Sequence, residues 1–169
     1  MNIKTSRLTI KTFSPNMAQS VYENSQDDDT RRFVPDEVYD SVEEAHEAIE
    51  FLMSRYDSAD GPFVYPIITN DGGKKIGYVQ LCKLDDGAWE IGYHIAKSFT
   101  GKGYATEAVK AFLPVMAKKL NIKEVYGISL AENTASVRVF EKCGFTKIYQ
   151  GPGNYQGKEV QIIKVSWKK

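Results

Sequence analysis

Apolar and polar positions alternate near the start of the chain, in the stretch "LTIKTF". This alternation is typical of a half-buried strand and predicts a strand over residues 3–13. Ser14 and Pro15 follow, and they suit the N-cap and the first position of a short helix that we expect to reach Ser25. The charged stretch "QDDDTRRFVPDEVYD" comes next and is predicted to be an irregular connection.

A second helix is indicated by Ser41 and Glu44, which have the spacing of a capping box. Apolar residues then recur at helical spacing, so one face of this helix should be buried. The residues of that face are Ala45, Ile49, Leu52, Met53 and Tyr56.

Three strands connected by tight turns are predicted in the middle of the chain. "PFVYPIIT", residues 62–69, is the first of them, although Pro66 indicates an edge position or a bulge. The turn "NDGG" leads back into the second strand, residues 74–84, and "DDG" leads into the third, residues 88–96. These strands should therefore be antiparallel neighbours.

The pattern changes to helical spacing over residues 103–119, where Pro114 should kink the helix. A strand follows over residues 123–130, and because a helix connects it to strand 88–96, these two strands should be parallel. Asn133 is predicted to cap a last helix that ends at Gly144. Two final strands, "FTKIYQG" and "KEVQIIKVSW", should enclose the loop "PGNYQG".

The fold class predicted from these elements is α+β. We expect a mixed, mostly antiparallel sheet of about seven strands, with about four helices and a central βαβ unit. Residues 1–169 have the length of a single domain.

Charge and composition favour a cytoplasmic protein that binds neither nucleic acid nor membranes. Lys and Arg number 22, as do Asp and Glu, so no overall basic field exists to attract such partners. Apolar runs are too short to span a bilayer, and the first residues lack the apolar core of a signal peptide. Cys82 and Cys143 do not form a disulfide framework and are expected to be reduced. No metal site is predicted, and the chain is expected to be a monomer or a homodimer.

The stretch "SFTGKGYATEAV" concentrates glycine just where a helix begins. Gly101, Gly103 and Ala105 let a ligand approach the main chain, and the N–H groups of residues 101–106 include unpaired donors at the positive end of a helix. A phosphate or diphosphate suits such a site, and Lys102 could add a charge. The Walker A and dinucleotide-binding patterns both fail to match these residues. An ordinary glycine-rich turn remains an alternative.

Two longer stretches, "EIGYHIAKSFTGKGYATEAV" and "ENTASVRVFEKCGF", resemble the GCN5-related N-acetyltransferases (GNAT). The opening "TSRLTIKTF" is similar to the first strand of their RimJ/RimL-like branch, the ribosomal-protein N-acetyltransferases. The family pattern Q/R-x-x-G-x-G/A falls on Thr100 to Ala105. Thr100 departs from it, which matters little if main-chain N–H groups bind the ligand.

This resemblance implies that acetyl-CoA is the cofactor, with its diphosphate on residues 101–106. It also implies that strands 88–96 and 123–130 separate at their carboxyl ends, so that the pantetheine arm can enter the gap and satisfy main-chain groups there. Asn133 resembles the asparagine that contacts this arm. The predicted cofactor-binding residues are Ile95, Ala96, Gly101, Lys102, Gly103, Tyr104, Ala105, Thr106, Asn133 and Phe140.

The reaction requires a group that takes a proton from the amine, since amines with a pKa of about 8 to 10 are mostly charged at neutral pH. Strand alternation places Glu90 and His94 on one face and Tyr93 and Ile95 on the other. Glu90 resembles the glutamate of the "EIGY" stretch in this branch and is the first candidate for the base. His94 has the more suitable intrinsic pKa, but it could equally be a structural residue.

The family often places a tyrosine as general acid seven residues after the asparagine, and this chain has Phe140 there. Ser136 resembles a serine that this branch can use near the sulfur, and it is the candidate acid. The acceptor should lie over the sheet, with Tyr39, Phe63, Tyr93 and Tyr155 as candidate pocket residues. Asp27 to Asp29 could hold a cationic acceptor or could form a solvated loop.

The function predicted is transfer of an acetyl group from acetyl-CoA to a primary amine by direct attack on the thioester. A protein N-terminus, an antibiotic and a polyamine are possible acceptors. The missing tyrosine at Phe140 keeps open an alternative, a catalytically silent CoA-binding sensor or scaffold. A protein that binds a nucleotide phosphate is a third reading.

Overall fold

The computed structural model describes residues 1–169, and its eight strands form one sheet in the order β1-β2-β3-β4-β5-β6-β8-β7. The strands are β1 Asn2–Lys4, β2 Leu8–Lys11, β3 Phe63–Thr69, β4 Lys75–Lys83, β5 Trp89–Ile95, β6 Glu124–Leu130, β7 Thr146–Tyr155 and β8 Lys158–Lys168. The α-helices are α1 Ala18–Ser25, α2 Asp28–Phe33, α3 Val42–Ser54, α4 Tyr104–Lys119 and α5 Thr134–Lys142. The mixed α+β fold is confirmed, with one strand and one helix more than predicted.

All neighbouring strands are antiparallel except β5 and β6, which are parallel and are connected through α4. The predicted βαβ unit is therefore present, and α4 runs through Pro114 without ending there. β5 and β6 share a single aligned pair, Glu90 with Tyr126. The two strands consequently separate toward their carboxyl ends.

The prediction of one strand over residues 3–13 is wrong, because β1 and β2 form a hairpin through Thr5, Ser6 and Arg7. These three polar residues bind Glu107 of α4, so the turn is fixed by a distant contact that local alternation does not indicate. Ser14 makes no side-chain cap, and a 3-10 helix, Pro15–Met17, precedes α1.

The prediction of an irregular connection before Ser41 is also wrong, since this stretch contains α2 and a 3-10 helix, Pro35–Glu37. Asp27 caps α2 by accepting a hydrogen bond from the Thr30 N–H at 2.7 Å. Acidic residues in its first turn and arginines in its last turn complement the helix dipole. With only six residues, α2 is too short to show a helical repeat.

The capping box of α3 is confirmed in part. The Ser41 hydroxyl accepts a hydrogen bond from the Glu44 N–H, but the Glu44 carboxylate bonds to the N–H of Asp40 instead of Ser41. The hairpin between β7 and β8 is tighter than predicted, because β7 continues through Tyr155. Only Gln156 and Gly157 form its turn, and both have positive φ, as a two-residue hairpin turn requires.

The sheet separates two layers of helices. Its main core lies under α4 and α5 and includes Phe63, Tyr65, Leu81 and Phe112. A smaller core on the opposite face packs α1 and α3 against Val64. Pro66 is tolerated because β2 pairs only with residues 67–69 of β3, beside an irregularity in register. None of the helices is both long enough and apolar enough to cross a membrane.

Candidate active site

A cavity of about 650 Å³ lies where β5 and β6 separate. It extends from the glycine stretch before α4, between the two strands, to the opposite face of the sheet. Of the predicted catalytic residues, Glu90, His94 and Ser136 all line it. Of the predicted cofactor-binding residues, these eight line it: Ile95, Gly101, Gly103, Tyr104, Ala105, Thr106, Asn133 and Phe140.

Ala96 and Lys102 were also predicted to bind the cofactor, but they do not line the cavity. Ala96 is 3% exposed, and its N–H donates to the Ile76 carbonyl in the β4–β5 ladder. The ammonium group of Lys102 lies 5.5 Å from the centre of the Phe99 ring. Local contacts that the sequence does not show hold these two side chains away from the cavity lining.

The glycine stretch presents free main-chain donors. Gly101 and Gly103 have φ values of +76° and +80°, which favour glycine. The first helical hydrogen bond of α4 runs from the Glu107 N–H to the Gly103 carbonyl. The N–H groups of residues 101–106 bond to no other main-chain group, so they are available to an anion at the positive end of the helix.

Main-chain groups of β5 are free in the gap. Because Ala96 donates to Ile76 of β4, the alternation of an antiparallel ladder turns the N–H and C=O groups of Ile95 and Tyr93 toward β6. β6 does not pair with β5 at this level. A ligand with amide groups would satisfy these donors and acceptors as an added strand would.

Ser129 provides a second unsatisfied group on the other side of the gap. It is 3% exposed and lines the cavity, and its hydroxyl oxygen is the one buried side-chain oxygen or nitrogen without a hydrogen-bond partner. A buried hydroxyl without a partner destabilises the folded protein unless a bound ligand forms a hydrogen bond with it. Sequence reasoning missed Ser129, although a polar residue at an inward position of β6 was a usable signal.

A tyrosine from β5 reaches the serine of α5. The Tyr93 hydroxyl oxygen lies 2.8 Å from Ser136 Oγ and 3.1 Å from the Ser136 carbonyl oxygen. The Tyr93 ring packs edge-on to Phe140, with the ring centres 5.7 Å apart. Asn133 caps α5, because its Oδ1 accepts a hydrogen bond from the Ser136 N–H at 3.1 Å. A phenol hydroxyl is thus present beside Ser136, although Phe140 has none.

The predicted faces of β5 are confirmed. Ile91 and Ile95 are buried in the main core, whereas Glu90 and His94 line the cavity on the other face, opposite Cys82 and Tyr78 of β4. Burial raises the pKa of Glu90, although nearby Lys164 lowers it in part. A carboxylate with a raised pKa is better matched to proton transfer near neutral pH.

His94 ties α2 to the end of β5. Its Nε2 lies 2.9 Å from the Thr30 hydroxyl, which in turn bonds to the Asp27 carboxylate. Asp27 also accepts a hydrogen bond from the Lys97 N–H. Burial lowers the pKa of His94, and Asp27 raises it in part. The imidazole is therefore held in a structural network.

Glu37 is an acidic group of the cavity that sequence reasoning missed. Its carboxylate accepts a hydrogen bond from the Tyr78 hydroxyl at 2.6 Å. Burial raises the pKa of Glu37 to about 7, and burial lowers the pKa of the nearby Lys75 to about 8. No sequence signal distinguishes Glu37 from its charged neighbours, because the fold alone brings it over β4.

Two contacts hold α2 across the cavity. Arg32 pairs with Glu132, after β6, at 2.7 Å, and the Gln156 amide donates to the Phe33 carbonyl at 3.0 Å. Of the three aspartates considered for the acceptor, Asp29 lines the cavity, and it lies 3.5 Å from the Lys97 ammonium.

Two of the four aromatic residues expected to line the pocket, Tyr93 and Tyr155, do so. The expectation is wrong for Phe63, which is fully buried and stacks on Trp89 in the main core. It is also wrong for Tyr39, which packs against the core of α1 and α3.

The two cysteines are unpaired, and burial raises the pKa of each thiol to about 11. Neither is therefore suited to be a nucleophile at neutral pH. The side chains contain no group of three His, Cys, Asp or Glu residues that could hold a metal ion.

Residues 7–146 match a family model described as an acetyltransferase (GNAT) domain. An uncharacterized N-acetyltransferase of Bacillus subtilis, YnaD, is 30% identical over 148 residues, which are 87% of this chain and 84% of YnaD. A GNAT-family acetyltransferase structure from Bacillus anthracis is similar with a TM-score of 0.84 and 23% identity, over 99% of this chain and 98% of that one. The ribosomal-protein-S5-alanine acetyltransferase structure from Vibrio fischeri has a TM-score of 0.85 and 17% identity, over 99% and 96% of the two chains.

Proposed function

The chain belongs to the GNAT acetyltransferase family, whose members transfer an acetyl group from acetyl-CoA to an amine, and from this premise we propose how its residues divide the work. The observation that supports the proposal most is the continuity of the cavity. One space connects the glycine stretch, the gap beside Ser136 and the face that bears Glu90. A donor and an acceptor bound at its two ends would meet between the strands.

The N–H groups of residues 101–106 hold the diphosphate of acetyl-CoA, since they are unpaired and lie at the positive end of α4. The free main-chain groups of Ile95 and the unpaired hydroxyl of Ser129 suit the two amides of the pantetheine arm. The residues present therefore fit this donor. When bound, it supplies the thioester that the amine attacks.

Glu90 is the general base. It takes the proton from the acceptor ammonium, directly or through a water, and its raised pKa favours this role. His94 is the weaker candidate, because its Nε2 is already bonded to Thr30 and its pKa is lowered. Of the main-chain groups that face the gap, the N–H of Tyr93 can donate to the oxyanion that develops during attack, which leaves the groups of Ile95 to the pantetheine arm.

Ser136 donates a hydrogen bond to the departing sulfur, and Tyr93 orients the Ser136 hydroxyl. A thiolate with a pKa near 8.5 requires little assistance to leave, so a hydroxyl suffices. Burial raises the pKa of Tyr93, so its phenol stays protonated and keeps this geometry at working pH. The Tyr93–Ser136 pair supplies the hydroxyl that Phe140 cannot provide at the position of the family tyrosine. Its presence weakens the alternative of a silent CoA-binding module.

The acceptor is an amine that carries positive charge beyond the reacting group. Glu37 and Glu90 both line the acceptor end, and neither forms a salt bridge within the chain. Both also lie near Tyr155, whose pKa is raised by burial and then by these two carboxylates. Diamines and N-terminal peptides that begin with basic residues meet this requirement.

Release of free thiol from acetyl-CoA, measured with a panel of amines, tests the proposal. The panel should contain diamines, basic and acidic N-terminal peptides, and neutral amines of matched size. Turnover is expected with the cationic acceptors first. Calorimetric binding of CoA without turnover across the whole panel would favour the silent module instead.

A further inference from the structure

The turn between β1 and β2 binds the first turn of α4, about a hundred residues later. Glu107 is the fourth residue of α4, and its Oε1 accepts hydrogen bonds from the Thr5 hydroxyl at 2.5 Å, the Ser6 hydroxyl at 3.3 Å and the Arg7 N–H at 3.1 Å. Its Oε2 accepts a hydrogen bond from Arg7 Nε at 2.6 Å, and Arg7 Nη2 lies 2.6 Å from the same oxygen. This charge-assisted contact fixes the orientation of the Arg7 side chain.

Arg7 also holds the glycine stretch itself. Its Nη1 donates to the Lys102 carbonyl at 2.9 Å, and its guanidinium lies 4.7 Å from the centre of the Tyr104 ring. The C=O and N–H of a trans peptide point in opposite directions, so the Gly103 N–H points away from Arg7. Without this contact, the flexible backbone of Gly101 and Gly103 would lose entropy whenever a ligand ordered it.

Arg7 has a second effect, on charge. Glu107 places a carboxylate in the helical turn that offers its N–H groups to an anion. Burial alone would raise the pKa of Glu107, but hydrogen bonds from Thr5 and Arg7 lower it below the usual value. Glu107 is therefore ionised, and an unpaired Glu107 would repel a diphosphate. The close ion pair with Arg7 offsets this charge.

We infer that Arg7 is a positioning residue for the diphosphate of acetyl-CoA, acting through the Lys102 carbonyl and the Glu107 carboxylate. The inference rests on the proposed binding of acetyl-CoA at residues 101–106. It assigns to the N-terminal hairpin a part in cofactor binding. The hairpin thereby preorganises the loop that contains Gly101 and Gly103, whose backbone would otherwise be flexible.

Two acetyl donors separate this role from a general effect on folding. Acetyl-CoA carries the diphosphate, and acetyl-pantetheine carries the same thioester without it. In Arg7→Ala, the preference for acetyl-CoA, measured as the ratio of the two kcat/KM values, should fall about tenfold. The loss should lie in the KM for acetyl-CoA, while its kcat changes less than about twofold.

Arg7→Lys keeps the charge, but one ammonium group cannot reach both the Glu107 carboxylate and the Lys102 carbonyl as the guanidinium does, so it should lose most of the same preference. The matched control is Lys83→Ala, which removes an exposed ion pair with Asp60 at 2.6 Å, away from the cavity, and should keep the wild-type preference. Calorimetry with CoA and with pantetheine gives a readout that does not depend on turnover, and thermal unfolding identifies variants that fail to fold.

Three results would contradict the inference. Arg7→Lys could restore the full preference, which would show that charge alone matters. The Arg7 variants could lose activity equally with both donors, or they could keep the wild-type preference. A wild-type enzyme that does not distinguish acetyl-CoA from acetyl-pantetheine would instead overturn the diphosphate site itself, and with it the proposed cofactor binding.

Discussion

The glycine end of the cavity consists of main-chain groups from six consecutive residues, 101–106, whereas its acceptor end consists of side chains from β4, β5, α2 and the β7–β8 turn. A main-chain site depends on backbone shape, so most side-chain changes leave it intact. A site made of side chains changes its chemistry with a single substitution. The donor end should thus vary little among related chains, while the acceptor end can change its substrate easily.

The sharpest test of the acceptor end is Glu90→Gln. Loss of the base should lower kcat about a hundredfold, with little change in CoA affinity. Because burial raises the pKa of Glu90, the wild-type rate should be lost as the pH falls through a value above that of a free glutamate, and the variant should lack this limb. Exposed Glu141→Gln is the control. Unchanged pH–rate profiles would remove Glu90 from the mechanism.

The donor end should respond to backbone strain. Gly103→Val forces a β-branched residue into a left-handed conformation, at a cost of about 1–2 kcal/mol, and should raise the KM for acetyl-CoA about tenfold or more. Gly87→Val is the matched control, since Gly87 has a similar φ of +84° in the β4–β5 turn and an open surrounding. Equal effects of the two variants on KM would mean that strain in any turn produces the result.

Variants of Ser136 and Tyr93 test the chemistry proposed for the gap between the two ends. Ser136→Ala should lower kcat about tenfold and Tyr93→Phe about threefold, because Tyr93 acts through Ser136. The double variant should then be no slower than Ser136→Ala alone. Additive losses, measured at saturating acetyl-CoA, would show that the two hydroxyls act independently.

The smallest expected effect concerns Glu37, at the acceptor end, and the pH dependence of the free energy of unfolding. Since burial raises its pKa from 4.5 to about 7, the unfolded chain releases this proton first as the pH rises. The contribution of Glu37 to the free energy of unfolding should therefore fall between these two pH values. The full value for such a shift is about 3 kcal/mol, and partial exposure of the side chain to solvent reduces it to about 1–2 kcal/mol. Lys75 stays charged in this range.

Glu37→Gln should remove that fall, as measured by denaturant unfolding at pH 5 and at pH 7.5. Exposed Glu47→Gln should retain it. If wild type and Glu37→Gln lost stability in parallel over this range, Glu37 would not be the group responsible.

The sequence predicted the glycine end of the cavity better than the acceptor end. The strands 88–96 and 123–130, the glycine stretch and the Asn133 cap are local patterns, and the structure has them close to the predicted bounds. The β1–β2 hairpin was missed, because its turn is held by Glu107. The position of Glu37 also escaped prediction, because it depends on how α2 and the following 3-10 helix lie over β4.

Ser129 and Tyr93 fall between these cases. Alternation assigned Tyr93 to a face of β5, and Ser129 lies within a strand that was predicted, but only the three-dimensional structure shows that the Ser129 hydroxyl lacks a partner and that the Tyr93 hydroxyl reaches Ser136. Contacts between side chains on different elements depend on packing, which a single sequence does not report.

β5 turns the polar side chains of Glu90 and His94 to one face of the sheet and the apolar side chains of Ile91 and Ile95 to the other. Insertion or deletion of one residue within Trp89–Ile95 would exchange the two sets, moving Glu90 into the apolar core and Ile91 into the cavity on the other face. A change in the length of this strand should therefore be far more damaging than a substitution within it. Loops such as the β4–β5 turn remain free to grow.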